Sequence, residues 1–398
     1  MMKMNCTCSQ GGHTAPVKHI EVSRGAIEKL ADILEGYTDI MLVADKTTYE
    51  VAGKRAEEIL RAAGMLSHVC VIDDPALPSD RNVGKVLIEA GRDETPYNIE
   101  HFSNNPKYIL GVGSGSVNDI CRMVSYRLGI EYGILGTAPS MDGYASVVAP
   151  LLVGTKKIIY TCSIARHIII DLDICSQAPY ELLMAGLGDM IGKYVAILDW
   201  ELSKKLTDEY YCEQIADMVK KATGACIESA EGLKVRDPEA IKNTVEGLIL
   251  SGLCIAYSGS SRPASGTEQM VGQTWEVMDL EDGHLPNLHG IEVGEATFAA
   301  MLMYQRVYKE TEEQWLKDLI EPYLESFQKV LELQKSMCIP FTVKEKERFV
   351  TGVLRGRTFR VRYTLLQYLY DRGELEKYAD WVFDECMKYA PAEEGKNV

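Results

Sequence analysis

Nowhere in the 398 residues does an uninterrupted apolar run approach the length of a membrane-spanning helix. The first ten residues, Met-Met-Lys-Met-Asn-Cys-Thr-Cys-Ser-Gln, are polar and lack the apolar core of a secretion signal, so a cytoplasmic location is expected. Positive charge is also scarce: 42 Lys and Arg stand against 58 Asp and Glu, for a net charge of -16. That balance argues against nucleic acid or an anionic membrane surface as partner. It also means that an anionic ligand must find its own local cations or backbone N–H donors. Internal repeats and low-complexity segments are missing. What remains is ordinary for a globular protein, 46% hydrophobic and 25% charged, and long enough for two domains with separate cores.

The eleven cysteines form an odd set, and several lie in apolar runs such as Val69-Cys70-Val71 and Leu253-Cys254-Ile255. Reduced, buried thiols explain them best. Cys6, Cys8 and His13 suggest a metal knuckle, but no second Cys pair closes a tetrahedral set, so a structural role is the stronger reading.

The first part of the chain alternates two periodicities. Short apolar runs at His19–Val22, Asp39–Ala44, His68–Ile72, Tyr108–Val112, Tyr132–Gly136 and His167–Asp171 read as strands. Amphipathic stretches near Arg24–Leu34, Thr47–Ala63, Arg81–Ala90 and Ser116–Leu128 read as the helices between them. Near-continuous apolar strands joined by helices predict a parallel sheet covered on both faces. Lys156–Thr161 reads as one further strand, in a hairpin. From Pro179 onward only helical periodicity remains, through Tyr180–Lys205, Glu209–Glu231, Pro238–Tyr257, Gly290–Lys309, Glu313–Ser336 and on to about Tyr389. An α/β domain over 1–178 and an all-α domain over 179–398 are expected, with small-molecule chemistry in a cleft between them and a frayed tail over Glu393–Val398.

Tyr108-Ile-Leu-Gly-Val-Gly-Ser-Gly-Ser-Val-Asn-Asp119 sets three glycines after a strand and before a helix. Glycine admits a phosphate close to the backbone, and the helix start supplies N–H donors without any Lys or Arg. Gly113, Ser114, Gly115, Ser116 and Asp119 are therefore candidates for cofactor binding. Asp45 closes a strand, where it can accept ribose hydroxyls or cap a turn; Lys46 beside it can tolerate a 2′-phosphate, so NAD and NADP both stay open. Asp189 sits on an expected helix, Leu182–Leu198, whose Ala185-Gly-Leu-Gly-Asp-Met-Ile-Gly-Lys193 carries glycines that cost helix stability and imply close packing. Lys193, four residues on, shares its face. Gln269 and Gln273 are also four apart, the spacing by which a His-x-x-x-His pair offers two imidazoles to one cation. Arg262, among Ser260, Ser261 and Ser265, makes either a phosphate receptor or a capped helix start with an exposed arginine.

These segments resemble the glycerol-1-phosphate dehydrogenase family, within the iron-containing alcohol dehydrogenase and dehydroquinate synthase superfamily. The likeness runs through nearly the whole chain and is strongest over 111–200 and 258–300. It implies a Rossmann-like, mostly parallel sheet domain followed by an all-α domain, as in dehydroquinate synthase. It also implies hydride transfer between NAD(P)H and dihydroxyacetone phosphate, with Thr137 and Ser140 on the nicotinamide side and Asp142 and Arg262 facing substrate. The family's ligand positions fall on Asp189, Gln269 and His289, for a Zn or Ni ion; Gln269 and Gln273 stand where histidines are usual. An amide oxygen is a poorer partner for such ions than imidazole nitrogen. Three outcomes are compatible with that set: a weakly held ion, substitution by His284 through a loop rearrangement, or loss of the ion. Without it, Lys193 would face the substrate oxygen. The family's Cys-x-Cys-Gly-x-x-His-like start is not where its catalytic ion sits, and self-association is common in it.

Two other function classes remain. A lyase resembling dehydroquinate synthase would use NAD⁺ without net NADH change, although Trp200 and the Ser-Arg-Pro-Ala-Ser-Gly run fit it less well. A non-catalytic binder of nucleotide or sugar phosphate is favoured by Gln269 and Gln273.

Overall fold

The structure, a computed structural model, describes residues 1–73, 76–91, 105–154 and 156–391. The tail expected over Glu393–Val398 lies outside the described residues. The chain divides into two compact units, Met1–Leu183 with Leu248–Tyr257, and Met184–Gly247 with Ser258–Val398.

The first unit begins with a small antiparallel pair, β1 (Met2–Met4) and β2 (His13–Ala15). Its main sheet contains β3 (His19–Ser23), β4 (Ile40–Asp45), β5 (Leu66–Ile72), β6 (Tyr108–Gly113), β7 (Glu131–Gly136) and β10 (His167–Asp171), in the order β3-β10-β7-β6-β4-β5, all parallel. Between β7 and β10, β8 (Val148–Val153) and β9 (Lys156–Thr161) form the expected hairpin. The central strands β6 and β10 are buried at every position, as runs without apolar/polar alternation require. Leu42, Ala44, Leu110, Val112 and Leu135 join the sheet to Leu30, Leu34, Ala56 and Leu60 in one apolar cluster. The chain passes from β4 to its neighbour β5 on one side, then returns to β6 on the other. That reversal opens a crevice beyond the carboxyl ends of β4 and β6, where doubly wound sheets bind their ligands.

The second unit is helical. Helices Lys193–Thr207, Glu213–Ser229, Thr267–Glu281, His289–Glu310, Gln314–Met337, Lys346–Gly356, Leu365–Asp371 and Leu375–Cys386 build it. Pro238–Ser258 starts with Pro at its first turn and an Asp237 cap on Ala240 N–H at 2.9 Å. The single helix expected over Leu182–Leu198 is two, Tyr180–Ile191 and Lys193–Thr207, parted at Gly192. The glycines upstream serve a backbone crossing. A Cβ on Gly188 would lie 2.1 Å from the Gly290 carbonyl oxygen, and one on Gly290 would lie 1.8 Å from that of Ala185. Only two glycines permit this approach, and it brings the chain at Asp189 beside the chain at His289.

Candidate functional site

In the first unit, the ends of β4, β6 and β7 carry the nucleotide candidates. Gly113 ends β6, where a Cβ would strike Val117 at 2.7 Å, so the helix Gly115–Leu128 can begin directly over the strand. Ser114 precedes that helix; its Oγ lies 2.6 Å from Ser140 Oγ and donates to the Ala138 carbonyl at 3.2 Å, tying the loop after β6 to the loop after β7. Thr137 N–H donates to Gly113 O at 3.1 Å, a second tie between the two loops. Ser116 stands in the first turn of the helix, among N–H groups that have no carbonyl within it. Asp119 pairs with Arg122, whose guanidinium is fully buried and also donates to the carbonyls of Gly143 and Val148. Asp142 Oδ2 accepts from Ser251 Oγ at 2.8 Å. Asp45 makes a capping box: Oδ1 accepts from Thr48 N–H at 2.7 Å, and Asp45 N–H donates to Thr48 Oγ1 at 3.1 Å. Lys46 pairs with Asp73 at 2.9 Å.

In the second unit, five side chains form a continuous polar chain. Arg360 Nη2 donates to Gln273 Oε1 at 3.0 Å, Gln273 Nε2 to Gln269 Oε1 at 2.8 Å, and Gln269 Nε2 to Asp189 Oδ1 at 3.0 Å. Lys193 Nζ donates to the same Oδ1 at 2.7 Å and to Ala264 O at 3.3 Å. The direction of the chain follows from its ends. A guanidinium can only donate, and an ionised carboxylate only accept, so both amides must turn their oxygens toward Arg360 and their nitrogens toward Asp189. Asp189 and Lys193 are essentially without solvent exposure, and each supplies the other's counter-charge.

His289 opens helix His289–Glu310, and its Nδ1 meets Glu276 Oε1 at 2.5 Å. That contact selects the tautomer whose lone pair is on Nε2. His284 is exposed in the preceding turn, where its N–H donates to Asp279 O at 2.8 Å. Arg262 is buried, and its Nε and Nη2 grip Glu209 at 2.8 and 2.5 Å. Two nitrogens of the guanidinium expected to receive phosphate are thus committed to a carboxylate, while Nη1 has no partner. Two other guanidiniums are not so committed. Arg360 Nη1 and Arg362 Nη2 both donate to Ser261 Oγ, at 3.0 and 2.6 Å, and Arg362 Nη1 to Ser265 O at 3.1 Å. Burial, then the neighbouring Arg360 and Arg262 charges, pull the Arg362 pKa down to about 10; burial lowers Arg360 as well.

Residues 21–179 match the family model described as iron-containing alcohol dehydrogenase. The glycerol-1-phosphate dehydrogenase [NAD(P)+] of Halalkalibacterium halodurans is 31% identical over 306 residues, 75% of this chain and 74% of the relative. The chain belongs to the glycerol-1-phosphate dehydrogenase family. The Bacillus licheniformis member is 28% identical over 386 residues, 93% of each chain. An iron-containing alcohol dehydrogenase structure from Thermococcus thioreducens superposes with a TM-score of 0.71 at 15% identity, covering 94% of this chain and 99% of that one. At that identity the likeness speaks for the fold, an α/β unit with a helical unit.

Membership in the glycerol-1-phosphate dehydrogenase family implies a divalent ion on Asp189, Gln269 and His289. The donor set as arranged does not fit one. Gln269 presents N–H, not a lone pair, to Asp189, and its oxygen is taken by Gln273. Turning the Gln269 amide over would set two amide nitrogens against each other. Lys193 already neutralises the carboxylate that an ion would bind.

Glu268, absent from the sequence-based candidates, is buried beside this chain. Its Oε1 accepts from Gly266 N–H at 2.9 Å, while Oε2 has no partner. Burial pushes its pKa up to about 8, helped by Asp199 and opposed by Lys193. The folded protein then binds this proton more tightly than the unfolded chain, whose reference value is 4.5. Stability from Glu268 is full below that value and is lost as pH rises through about 8. Glu268→Gln is expected to raise the melting temperature at pH 9 and leave it almost unchanged at pH 4, worth up to roughly 5 kcal/mol. Parallel pH profiles for variant and parent would reject this assignment.

Proposed function

We propose that the protein is an NAD(P)-dependent oxidoreductase that interconverts dihydroxyacetone phosphate and sn-glycerol 1-phosphate. Relatives bearing the name glycerol-1-phosphate dehydrogenase [NAD(P)+], at about 30% identity over most of the chain, support the reaction class. One observation carries the substrate assignment: the Arg360–Arg362 pair at Ser261 is joined through Gln273 and Gln269 to the Asp189–Lys193 pair. In this reading the Arg360–Arg362 pair takes the substrate phosphate and the Lys193 ammonium faces its ketone oxygen.

In this reading the N–H groups of Gly115 and Ser116 receive the cofactor pyrophosphate, Ser114 and Asp119 shape that turn, and Thr137 and Ser140 line the nicotinamide side. Asp142, held by Ser251, faces substrate. Asp45 meets the adenosine ribose, and a 2′-phosphate there would meet Asp45 and Asp73 with Lys46 already engaged; NAD is therefore the favoured form. Bound by these residues, the nicotinamide cofactor would supply the hydride for the substrate's carbonyl carbon. As the carbonyl oxygen gains negative charge, the Lys193 ammonium would stabilise it and donate the proton that completes the alcohol, to be replaced from solvent. No step passes through a metal ion.

The test is NADH absorbance with dihydroxyacetone phosphate, in chelator and separately with added Zn²⁺ or Ni²⁺. Turnover in chelator, with NADH ahead of NADPH, is the expected result. Turnover only with added metal would overturn the ion-independent reading. Absence of net NADH oxidation in every arm would overturn the dehydrogenase itself.

A further inference from the structure

The N-terminal hairpin has no part in the chemistry proposed above. β1 and β2 pair with Met4 opposite His13, so the intervening loop begins and ends at one place. Inside it, Gly11 takes φ 72°, and its N–H donates to Cys8 O at 2.9 Å, turning the chain back. The ligand atoms of Cys6, Cys8 and His13 all lie within 4.8 Å of one another. Cys8 Sγ is 3.3 Å from His13 Nε2, and Cys8 N–H donates to Cys6 Sγ at 3.4 Å.

His13 is 3% exposed, and its Nδ1 lies 2.8 Å from the carbonyl of Tyr257. A carbonyl can only accept, so Nδ1 carries the proton and the Nε2 lone pair is directed to the thiols. This is the backbone-oriented histidine of a metal site. A tetrahedral Zn²⁺ with Zn–S about 2.3 Å and Zn–N about 2.0 Å sets sulfur and nitrogen about 3.5 Å apart, close to the spacing observed.

We infer that Cys6, Cys8 and His13 bind a structural Zn²⁺, independent of the dehydrogenase chemistry. Two thiolates and an imidazole are a soft, zinc-selective set, and the ion would fasten the hairpin to the end of helix Pro238–Ser258 through His13 and the Tyr257 carbonyl. The fourth position is filled by water or by one further donor. Because Asp189, Gln269 and His289 offer no sulfur, a thiolate signature separates the two locations.

The full-length protein, stripped with chelator and titrated with Co²⁺, is expected to develop a near-ultraviolet thiolate-to-cobalt charge-transfer band that saturates at one equivalent and is displaced by Zn²⁺. Cys8→Ser is expected to lose at least tenfold in Co²⁺ affinity, with the band diminished. Should that variant fold poorly, thiol labelling of the parent tests the same site: two thiols are expected to be protected by Zn²⁺ and released by chelator. Absence of the band in the parent, equal labelling with and without Zn²⁺, or a Cys6–Cys8 disulfide in protein purified under reducing conditions would each overturn the site.

Discussion

Lys193→Met is expected to lower kcat by about 10³-fold, the scale lost when a preorganised donor to a developing oxyanion is removed. Lys193 is the buried ammonium of the second unit's polar chain, held by Asp189 at 2.7 Å and Ala264 O at 3.3 Å. Its position is fixed before substrate arrives, so little reorganisation accompanies charge development. The single variant also strands the Asp189 carboxylate in the interior, which costs about 3–5 kcal/mol of stability. Asp189→Asn/Lys193→Met removes that complication by neutralising both partners. If Lys193 acts on the alkoxide, the double variant folds like the parent, binds NADH as before and still loses kcat by about 10³-fold. A double variant within fivefold of the parent would show that the pair merely holds the helices together.

The sheet was readable because its strands are buried on both faces, and such strands are written as unbroken apolar runs. The expected ranges for β4, β6, β7 and β10 differ from the observed ones by at most a residue at either end. The break at Gly192 was not readable, since that residue keeps helical angles, φ -61° and ψ -22°, and the crowding that leaves no room for a Cβ there comes from Glu268 and Thr297, far along the chain. The glycine cost around Asp189 did signal a close approach, but not that its partner is Gly290, about a hundred residues away. Asp45 stood equally as ribose acceptor and as cap; the capping box makes the second visible and leaves the first as proposal. Glu276 could have been found, as it follows Gln269 by seven residues and so shares its helical face. Glu268 could not, because its proton affinity comes from burial. Gln269 and Gln273 illustrate the limit most sharply. Their spacing was legible, yet the sense of their hydrogen bonds depends on Arg360, far away in the chain.

Arg360 and Arg362 lie in a segment without a motif, Thr358 to Tyr363, and only the fold delivers them to Ser261. Asp199 does much of that work: it accepts from Tyr304 OH at 2.6 Å, Thr267 N–H at 2.5 Å and Leu365 N–H at 2.7 Å, pinning the helix that follows the two arginines. Two guanidiniums meet there on one hydroxyl oxygen, the acceptor place that a phosphate oxygen would take. Burial lowers both pKa values, and at Arg362 the neighbouring Arg360 and Arg262 charges lower it further; an anion would relieve that cost, while both guanidiniums remain protonated near neutral pH. Each charge-assisted bond to phosphate is worth about 1.5–3 kcal/mol. Arg360→Ala/Arg362→Ala is therefore expected to raise KM for dihydroxyacetone phosphate by about 10³-fold, with KM for NADH unchanged. Inorganic phosphate, expected to compete with substrate in the parent, should cease to do so in the variant. Arg262→Lys supplies the contrast: its loss of the grip on Glu209 should lower the melting temperature while leaving phosphate competition intact. If Arg262→Lys abolishes the competition and the double variant preserves it, the phosphate belongs to Arg262 and the assignment to Arg360 and Arg362 is wrong.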